Sequence, residues 1–440
     1  MNPLQHGLTP KTKPLSPRRS ALVAALDVGT SKIACLIARL RPQAPKDALR
    51  RRSHTVEVLG FGHTLARGMK AGIVVDLADA EEAMRQAIDL AERSAKMQLE
   101  SVVVSMSAGK PASELISASV NVSGATVTEG DIARVLNAGS HYSVRAGRAI
   151  LHSLPIGYSL DETTGIRDPR GMVGRRFGID MHVMTADVSV ARNLMLAIER
   201  CHLDVEAMVA SPYAAGLSAL ADDEADLGAA LIDIGAGTTT IAVFSGGRLV
   251  HGSGFALGGQ HVTMDIARCI KARISDAERI KNLYGSVLAG GSDERDMITI
   301  PSVDEDDGGA PQFVSRAQLV RVIRPRIEEI LEMVRDRLAV SPFANEPRGQ
   351  VILTGGGSQL AGLSELAAQI LGRPARIGRP LGIAGLPEEA RGPAFAVATG
   401  LLVYPQAAHV EHFEPRRTRH TATGTGGYFA RVGRWLRESF

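Results

Sequence analysis

The chain has 440 residues, too many for one ordinary core and suited to two or more domains. A formal net charge of only +3 excludes a nucleic-acid binder held by bulk electrostatics, so no nucleic-acid partner is expected. Cys35, Cys201 and Cys269 are odd in number, widely spaced and set in apolar patterns, which argues against a disulfide frame and for core residues in a reducing, cytoplasmic setting. No apolar run approaches the roughly 18 to 20 residues that a membrane span needs, and the basic N-terminus lacks the apolar core of a signal peptide.

Residues 1–20, with four prolines and the basic Lys11, Lys13, Arg18 and Arg19, read as a disordered arm. Order begins at Ala21-Leu-Val-Ala-Ala-Leu-Asp27, a buried-strand pattern, followed by a Gly-Thr-Ser-Lys turn and a second apolar run from Ile33 to Ala38. A strand from Val56 to Leu59, an amphipathic helix from Leu77 to Met97 and a strand from Val102 to Met106 come next. Between Ser107 and Ala186 strand-like segments (Leu115 to Val122, Ala149 to Leu154, Met181 to Thr185) surround one helix, Glu129 to Asn137, and predict an α+β insertion. A helix over Asp187 to Cys201, a strand over Val205 to Ala210, a helix over Ser211 to Leu220 and an acidic hinge, Asp222 to Asp226, complete the first half. The opening pattern then returns: Leu227-Gly-Ala-Ala-Leu-Ile-Asp-Ile-Gly-Ala-Gly-Thr-Thr-Thr-Ile-Ala lies over the stretch from Ala21 to Ala34, about 200 residues away, and predicts two lobes of like topology.

Each copy reads as a β-hairpin with a turn of glycine and hydroxyl residues. Glycine lets backbone approach a phosphate closely, and successive turn N–H groups make a concave anion site. The carboxylates that end the first strands, Asp27 and Asp233, offer hard oxygens to a water bound to Mg2+. One such turn also occurs in plain hairpins; two copies argue for a pair that clamps one nucleotide. The candidate nucleotide contacts are therefore Asp27, Gly29, Thr30, Ser31 and Lys32 in the first copy, and Asp233, Gly235, Gly237, Thr238 and Thr239 in the second. A third glycine cluster, Gly355-Gly356-Gly357-Ser358, follows the strand from Val351 and precedes a helical stretch from Leu360 to Leu371. Glu278 and Lys281 share one helix face three residues apart, which taken alone is also the spacing of a solvated ion pair. Walker A and dinucleotide-binding glycine patterns are absent.

In this order the motifs resemble the actin/Hsp70/sugar-kinase superfamily: Asp27 to Lys32 its first phosphate loop, Asp233 to Thr240 its second, Gly355 to Ser358 its adenosine motif, and Glu278 with Lys281 the pair that brackets adenine and ribose. Within it, Ile150-Leu-His-Ser-Leu-Pro-Ile-Gly-Tyr-Ser-Leu-Asp and Gly165-Ile-Arg-Asp-Pro-Arg-Gly-Met-Val-Gly resemble the hallmark insertion of the FtsA family of bacterial cell-division proteins, and Gly258-Gly259-Gln-His-Val-Thr resembles that family's stretch after the second phosphate loop. The resemblance implies an α/β, actin-like (ribonuclease-H-like) two-lobed ATPase fold with ATP and Mg2+ as cofactors. It also implies a peripheral protein on the cytoplasmic side of the inner membrane at the division site, which holds the FtsZ ring, self-associates into filaments and recruits later division proteins. The expected layout is a disordered basic arm over 1–20; a first lobe (1A) from 21–100, 187–226 and 388–405; an inserted subdomain (1C) over 101–186; a second lobe (2A) from 227–260 and 345–387; subdomain 2B, the expected FtsZ contact, over 261–344; a flexible linker over 406–426; and a membrane-targeting helix over 427–440. The acidic loop Asp293 to Asp307 reads as disordered, and His409, His412 and His420 as solvated.

The last segment agrees from its residues alone. Phe429, Val432, Leu436 and Phe440 recur at helical spacing with Trp435 beside them, and Arg431, Arg434 and Arg437 lie on or beside the other face. Such a segment suits the plane of an anionic bilayer interface; docking on a protein surface is the alternative. Polymerising bacterial actins tend to carry Glu-Pro before an Ala-rich helix, where this chain has Ser211-Pro212-Tyr213, so nucleotide binding with slow turnover is expected and no catalytic residue is identified. Rival readings are a pilus-assembly ATP-binding protein, which would lack the basic-aromatic end, and a sugar-kinase-type phosphotransferase, which needs a catalytic Asp not found here.

Overall fold

The computed structural model describes residues 8, 10–12, 14–43, 52–140, 144–291, 293–300, 312–346 and 349–413. Two sheets of like topology dominate. In the first, Ala21–Val28 pairs antiparallel with Lys32–Pro42 and parallel with Ser101–Met106. The full order is Asp204–Ala210, Ser101–Met106, Ala21–Val28, Lys32–Pro42, His54–Leu65, Ile383–Ala384. In the second, Ala229–Ile234 pairs antiparallel with Thr239–Ser245 and parallel with Gln350–Thr354, with Arg248–Phe255 and Ala375–Ile377 at the edges. The central strands are buried along nearly their whole length because helices cover both faces, which is why they read as continuous apolar runs rather than alternating ones.

Helix Leu77–Ala95 starts at Asp76, whose carboxylate accepts the N–H groups of Ala78 and Asp79, and buries its Ala80, Met84, Ala87, Ile88 and Ala91 stripe. Gly62 lets it press on the first sheet: a Cβ there would lie 2.3 Å from the carbonyl oxygen of Ala87. Helix Ala396–Ala407 returns to this lobe and crosses helix Ser211–Ala219 at Gly400. A separate four-stranded sheet (Ala112–Asn121, Arg176–Asp187, Arg148–Leu160, Thr163–Ile166) carries helix Glu129–Ser140 over its own core of Val127, Ile132, Val135, Phe177, Ile179, Met181 and Val183. Helices Gly259–Cys269, Ile274–Tyr284 and Arg316–Ala339 form the remaining body beside the second sheet.

Several expectations are corrected. Ser101–Met106 is a central strand of the first sheet, so the insertion begins after it; a lone apolar run does not say which sheet it joins. The chain is back in the first sheet by Ile383–Ala384, ahead of residue 388. The described part of the N-terminal arm is seated, not free: Leu8 and Leu15 pack on the first core and the Lys11 N–H donates to the Glu206 carbonyl at 2.6 Å. Asp222–Leu227 is a short helix, its acidic first turn favoured by the helix dipole, and Glu224 there accepts two hydrogen bonds from Arg376. The glycine cluster itself winds into a 3-10 turn, Gly356–Gln359, and the left-handed Gly362 starts helix Leu363–Leu371, later than residue 360. Part of the acidic loop is ordered: Met297–Ile300 pairs with Gln312–Ser315, while 301–311 lies outside the described residues. Cys35 is buried, Cys201 half-buried and Cys269 exposed, because Val262, Thr263 and Ile266 take the inward stripe of its helix.

The expected linker from residue 406 also begins later. The helix runs to Ala407, a 3-10 turn covers Ala408–Val410, and the next two residues are fastened to the insertion. The buried carboxylate of Glu411 accepts from Nδ1 of the buried His152 at 3.0 Å, while His152 Nε2 accepts the Ala210 N–H at 2.9 Å. The His412 N–H donates to the Ser153 carbonyl at 2.8 Å, so His412 is half-buried rather than solvated, and His409 bonds the Gln406 carbonyl. His420 and the whole amphipathic segment, Phe429, Arg431, Val432, Arg434, Trp435, Leu436, Arg437 and Phe440 included, lie outside the described residues.

Candidate functional site

Both repeated hairpins close as their residues dictate. In the first, the Gly29 N–H donates to the Lys32 carbonyl at 3.0 Å, and a Cβ on Gly29 would sit 2.8 Å from that oxygen. In the second, the Gly235 N–H donates to the Thr238 carbonyl at 2.8 Å. The two tips face each other from opposite lobes and touch: a Cβ built on Gly237 would come 2.6 Å from Thr30 Oγ1. A third turn joins them, since the Gly72 N–H donates to Thr30 Oγ1 at 2.9 Å. Ser31 is exposed beside the tips, whereas Thr238 and Thr239 are buried, the Thr239 hydroxyl donating to the Leu257 carbonyl.

Behind the tips lie Asp27, Asp233 and Lys32. Burial lifts Asp27 above the ordinary carboxylate range, opposed by the Lys32 charge and a hydrogen bond from Ser105. Asp233 is pushed up to about 7, by burial first and by the Asp27 charge second. Lys32 is drawn down to about 8 by burial, with both carboxylates pulling the other way. Its ammonium stands 3.4 Å above the centre of the Phe395 ring and donates to the Ala394 carbonyl. Two inward carboxylates from two lobes match Mg2+, which typically takes one or two protein carboxylates and fills the rest of its octahedron with water and phosphate oxygen. Among the described residues no group of three or more metal-ligating side chains exists, so such an ion would depend on a phosphate-bearing ligand for the balance.

The remaining candidates gather on the second lobe. Gly258 must be glycine, because a Cβ there would lie 2.4 Å from the Gly235 carbonyl oxygen, and the Gly259 N–H donates to that same oxygen. Gly355, at a φ of 83°, lies over Asp233, and Gly357 over Ile234. Gly356 has open space before it, while the Ser358 hydroxyl turns inward and donates to the Gly355 carbonyl. Lys281 donates to Glu278 at 2.7 Å, Thr263 Oγ1 at 2.8 Å and the Gly259 carbonyl at 3.2 Å, which ties the pair to the glycines. Burial raises Glu278, but the hydrogen bonds from Lys281 and Thr263 outweigh it and leave the carboxyl below its usual range.

The candidate nucleotide contacts thus form one continuous set, from the hairpin tips through Gly235, Gly258 and Gly259 to the Glu278–Lys281 pair. Three further residues belong to it. Ser105 holds Asp27 through a 2.7 Å hydrogen bond and takes the Val28 N–H; its signal was a hydroxyl in an otherwise apolar strand. Thr263 bridges Glu278 and Lys281, and Phe395 seats Lys32. Neither of these could be paired from sequence.

A family model described as cell division protein FtsA matches residues 230–400, and one described as the SHS2 domain inserted in FtsA matches 108–185. The cell division protein FtsA of Agrobacterium fabrum (strain C58) is 51% identical over 432 residues, 98% of each chain. The chain belongs to the FtsA family. Among solved structures, the PilM–PilN type IV pilus biogenesis complex superposes with a TM-score of 0.58 at 19% identity over 89% of this chain and 99% of that one. MreB5 of Spiroplasma citri, in a crystal structure bound to ADP, superposes with a TM-score of 0.54 at 14% identity over 89% of this chain and 98% of that one. The fold is therefore actin-like, with the four-stranded sheet and its helix as the inserted domain of this family. Among the described residues no helix is long and apolar enough to cross a membrane.

Proposed function

We propose that this cell-division protein binds ATP with Mg2+ between its two hairpins and tethers the FtsZ ring to the inner face of the cytoplasmic membrane. What carries the nucleotide reading is the meeting of the Thr30 and Gly237 tips from opposite lobes, with Asp27, Asp233 and Lys32 directly behind. The turn N–H groups and Lys32 would hold the phosphates, Asp27 and Asp233 would orient water on the metal, and Gly355–Gly357 with Glu278 and Lys281 would take the adenosine. The ion's own part is to neutralise phosphate charge. MreB5, of like fold, was crystallised with ADP. Mg2+-ATP at 100-fold excess over its dissociation constant should stabilise the chain by about 2.7 kcal/mol; an unmoved melting temperature would refute the site.

Turnover should be slow. Ser211, where a glutamate would position the attacking water, is buried at the start of its helix. General-base help is typically worth 10²–10⁴-fold, and a serine does not supply it. Steady-state phosphate release on the order of one per minute or slower is expected of the purified protein; turnover of several per second would overturn this.

The membrane reading rests on the spacing of residues 427–440. Three arginines at an anionic surface contribute roughly 1 kcal/mol each, so about 3 kcal/mol, or more than 100-fold in binding, before Trp435 and the phenylalanines are counted. Deleting 427–440 should abolish sedimentation with anionic vesicles; undiminished sedimentation of the truncation would remove the anchor. FtsZ contact through the 261–344 subdomain, self-association into filaments and recruitment of later division proteins complete the reading. Co-pelleting with FtsZ polymers, with and without lipid, tests the tether directly.

A further inference from the structure

The insertion leans on the second lobe as well as on the first. Its outer strand Ala112–Asn121 lies against Arg248–Phe255, the edge strand of the second sheet. Ser113 Oγ ties the two strands twice, donating to the Gly252 carbonyl at 2.8 Å and accepting the Gly252 N–H at 2.6 Å, and Arg248 Nη1 adds a bond to the Pro155 carbonyl at 3.4 Å. His182, buried on the neighbouring strand of the insertion, places Nε2 2.8 Å from Ser113 Oγ and fixes it. Contact is close on both sides, since a Cβ on Gly252 would fall 2.8 Å from Met184 Sδ and one on Gly254 would fall 3.1 Å from Pro111 Cγ.

The strand so held belongs to the second phosphate hairpin's own ladder: Gly254 is the register partner of Thr240, two residues from Gly252. At the hairpin tip Gly237 is already in contact with Thr30 of the other lobe. A chain of phosphates between those tips would part them, and the hydrogen-bonded ladder would carry the movement of the tip to its neighbour strand.

We propose that Ser113 is a latch between the cleft and the insertion: it holds the second lobe while the tips touch, and its two bonds to Gly252 break when a nucleoside triphosphate separates them. Nucleotide occupancy thereby releases the insertion from the second lobe. This rests on the nucleotide reading above. The two states differ in whether Gly252 is bonded to Ser113, which supplies the differential contact that coupling between distant sites requires.

Hydrogen exchange of the full chain with and without Mg2+-ATP tests it. Peptides covering 27–33 and 234–240 should be protected, while those covering 112–118 and 248–255 should exchange at least three-fold faster. Ser113→Ala should show the faster exchange without nucleotide and gain no more on adding it, and Ser113→Thr, which keeps the hydroxyl, should restore the nucleotide response. Protection of the hairpins with no change at 112–118 and 248–255, or a full nucleotide response in Ser113→Ala, overturns the latch and leaves the binding reading standing. Absence of protection anywhere overturns both.

Discussion

Asp233→Asn is expected to raise the melting temperature of the nucleotide-free chain at pH 8 and to abolish the upward shift that Mg2+-ATP gives the parent. The Asp233 carboxyl titrates at about 7 in the folded protein against 3.8 for the free group, because it is buried beside Asp27. Between those two values the folded state keeps a proton that the unfolded state has lost, so its contribution to stability falls as pH rises through this window. Above about 7 the whole penalty of a buried charge is present. Each unit of displacement corresponds to about 1.4 kcal/mol. That displacement already includes the attraction of Lys32, so the asparagine should gain up to about 4 kcal/mol at pH 8, or roughly 4 °C for a chain of 440 residues, and almost nothing near pH 4. Melting curves at pH 4.5, 6 and 8 read the difference. A parent and variant whose curves stay parallel across that range would show that Asp233 is not held protonated. With Mg2+-ATP the order reverses, since the asparagine cannot orient a metal-bound water as a carboxylate does. A variant that is stabilised by nucleotide as much as the parent would remove Asp233 from the site.

Gly400→Val should be among the most damaging single changes in the first lobe. The helix Ala396–Ala407 crosses helix Ser211–Ala219 so closely that a Cβ at 400 would stand 1.7 Å from the carbonyl oxygen of Ala214. That neighbour is backbone and cannot rotate away, so the helices must separate. Overpacking typically costs 1–3 kcal/mol and occasionally more; here the upper end applies, offset by only about 0.4 kcal/mol, because valine is itself a poor helix former. A net loss of about 2–3 kcal/mol lowers the melting temperature by about 2–3 °C for a chain of 440 residues. Even Gly400→Ala should destabilise, although alanine is the better helix former. Thermal melts followed by circular dichroism decide it, and an unchanged or raised midpoint for either variant would mean that the helices are not in contact at this crossing.

How much was legible in the sequence follows from where each contact comes from. The two hairpins could be read because everything that shapes them is local: a buried strand, an Asp at its end, glycine at the turn and hydroxyls beside it, twice over. The amphipathic stripe of Leu77–Ala95 was equally plain. What stayed hidden is held by partners far along the chain. Ser105 reaches Asp27 across 78 positions, and Phe395 seats a lysine more than 360 positions earlier. Membership of a sheet is non-local in the same way, which is why the strand Ser101–Met106 was assigned to the insertion, whereas it lies between Ala21–Val28 and Asp204–Ala210. The polar stretch after Pro405 looked like the start of a linker because neither His152 nor Ser153, which hold it, is near it in sequence.

That last contact has a mechanical side. Tension on the chain beyond residue 413 arrives first at Glu411 and His412, and through them at His152 and Ser153 on the strand Arg148–Leu160, before it reaches helix Ala396–Ala407. On the membrane reading proposed above, the body would be held at a seam rather than at one lobe. A pull along that line bears on the angle between the insertion and the first lobe, with the imidazole–carboxylate pair as its shackle.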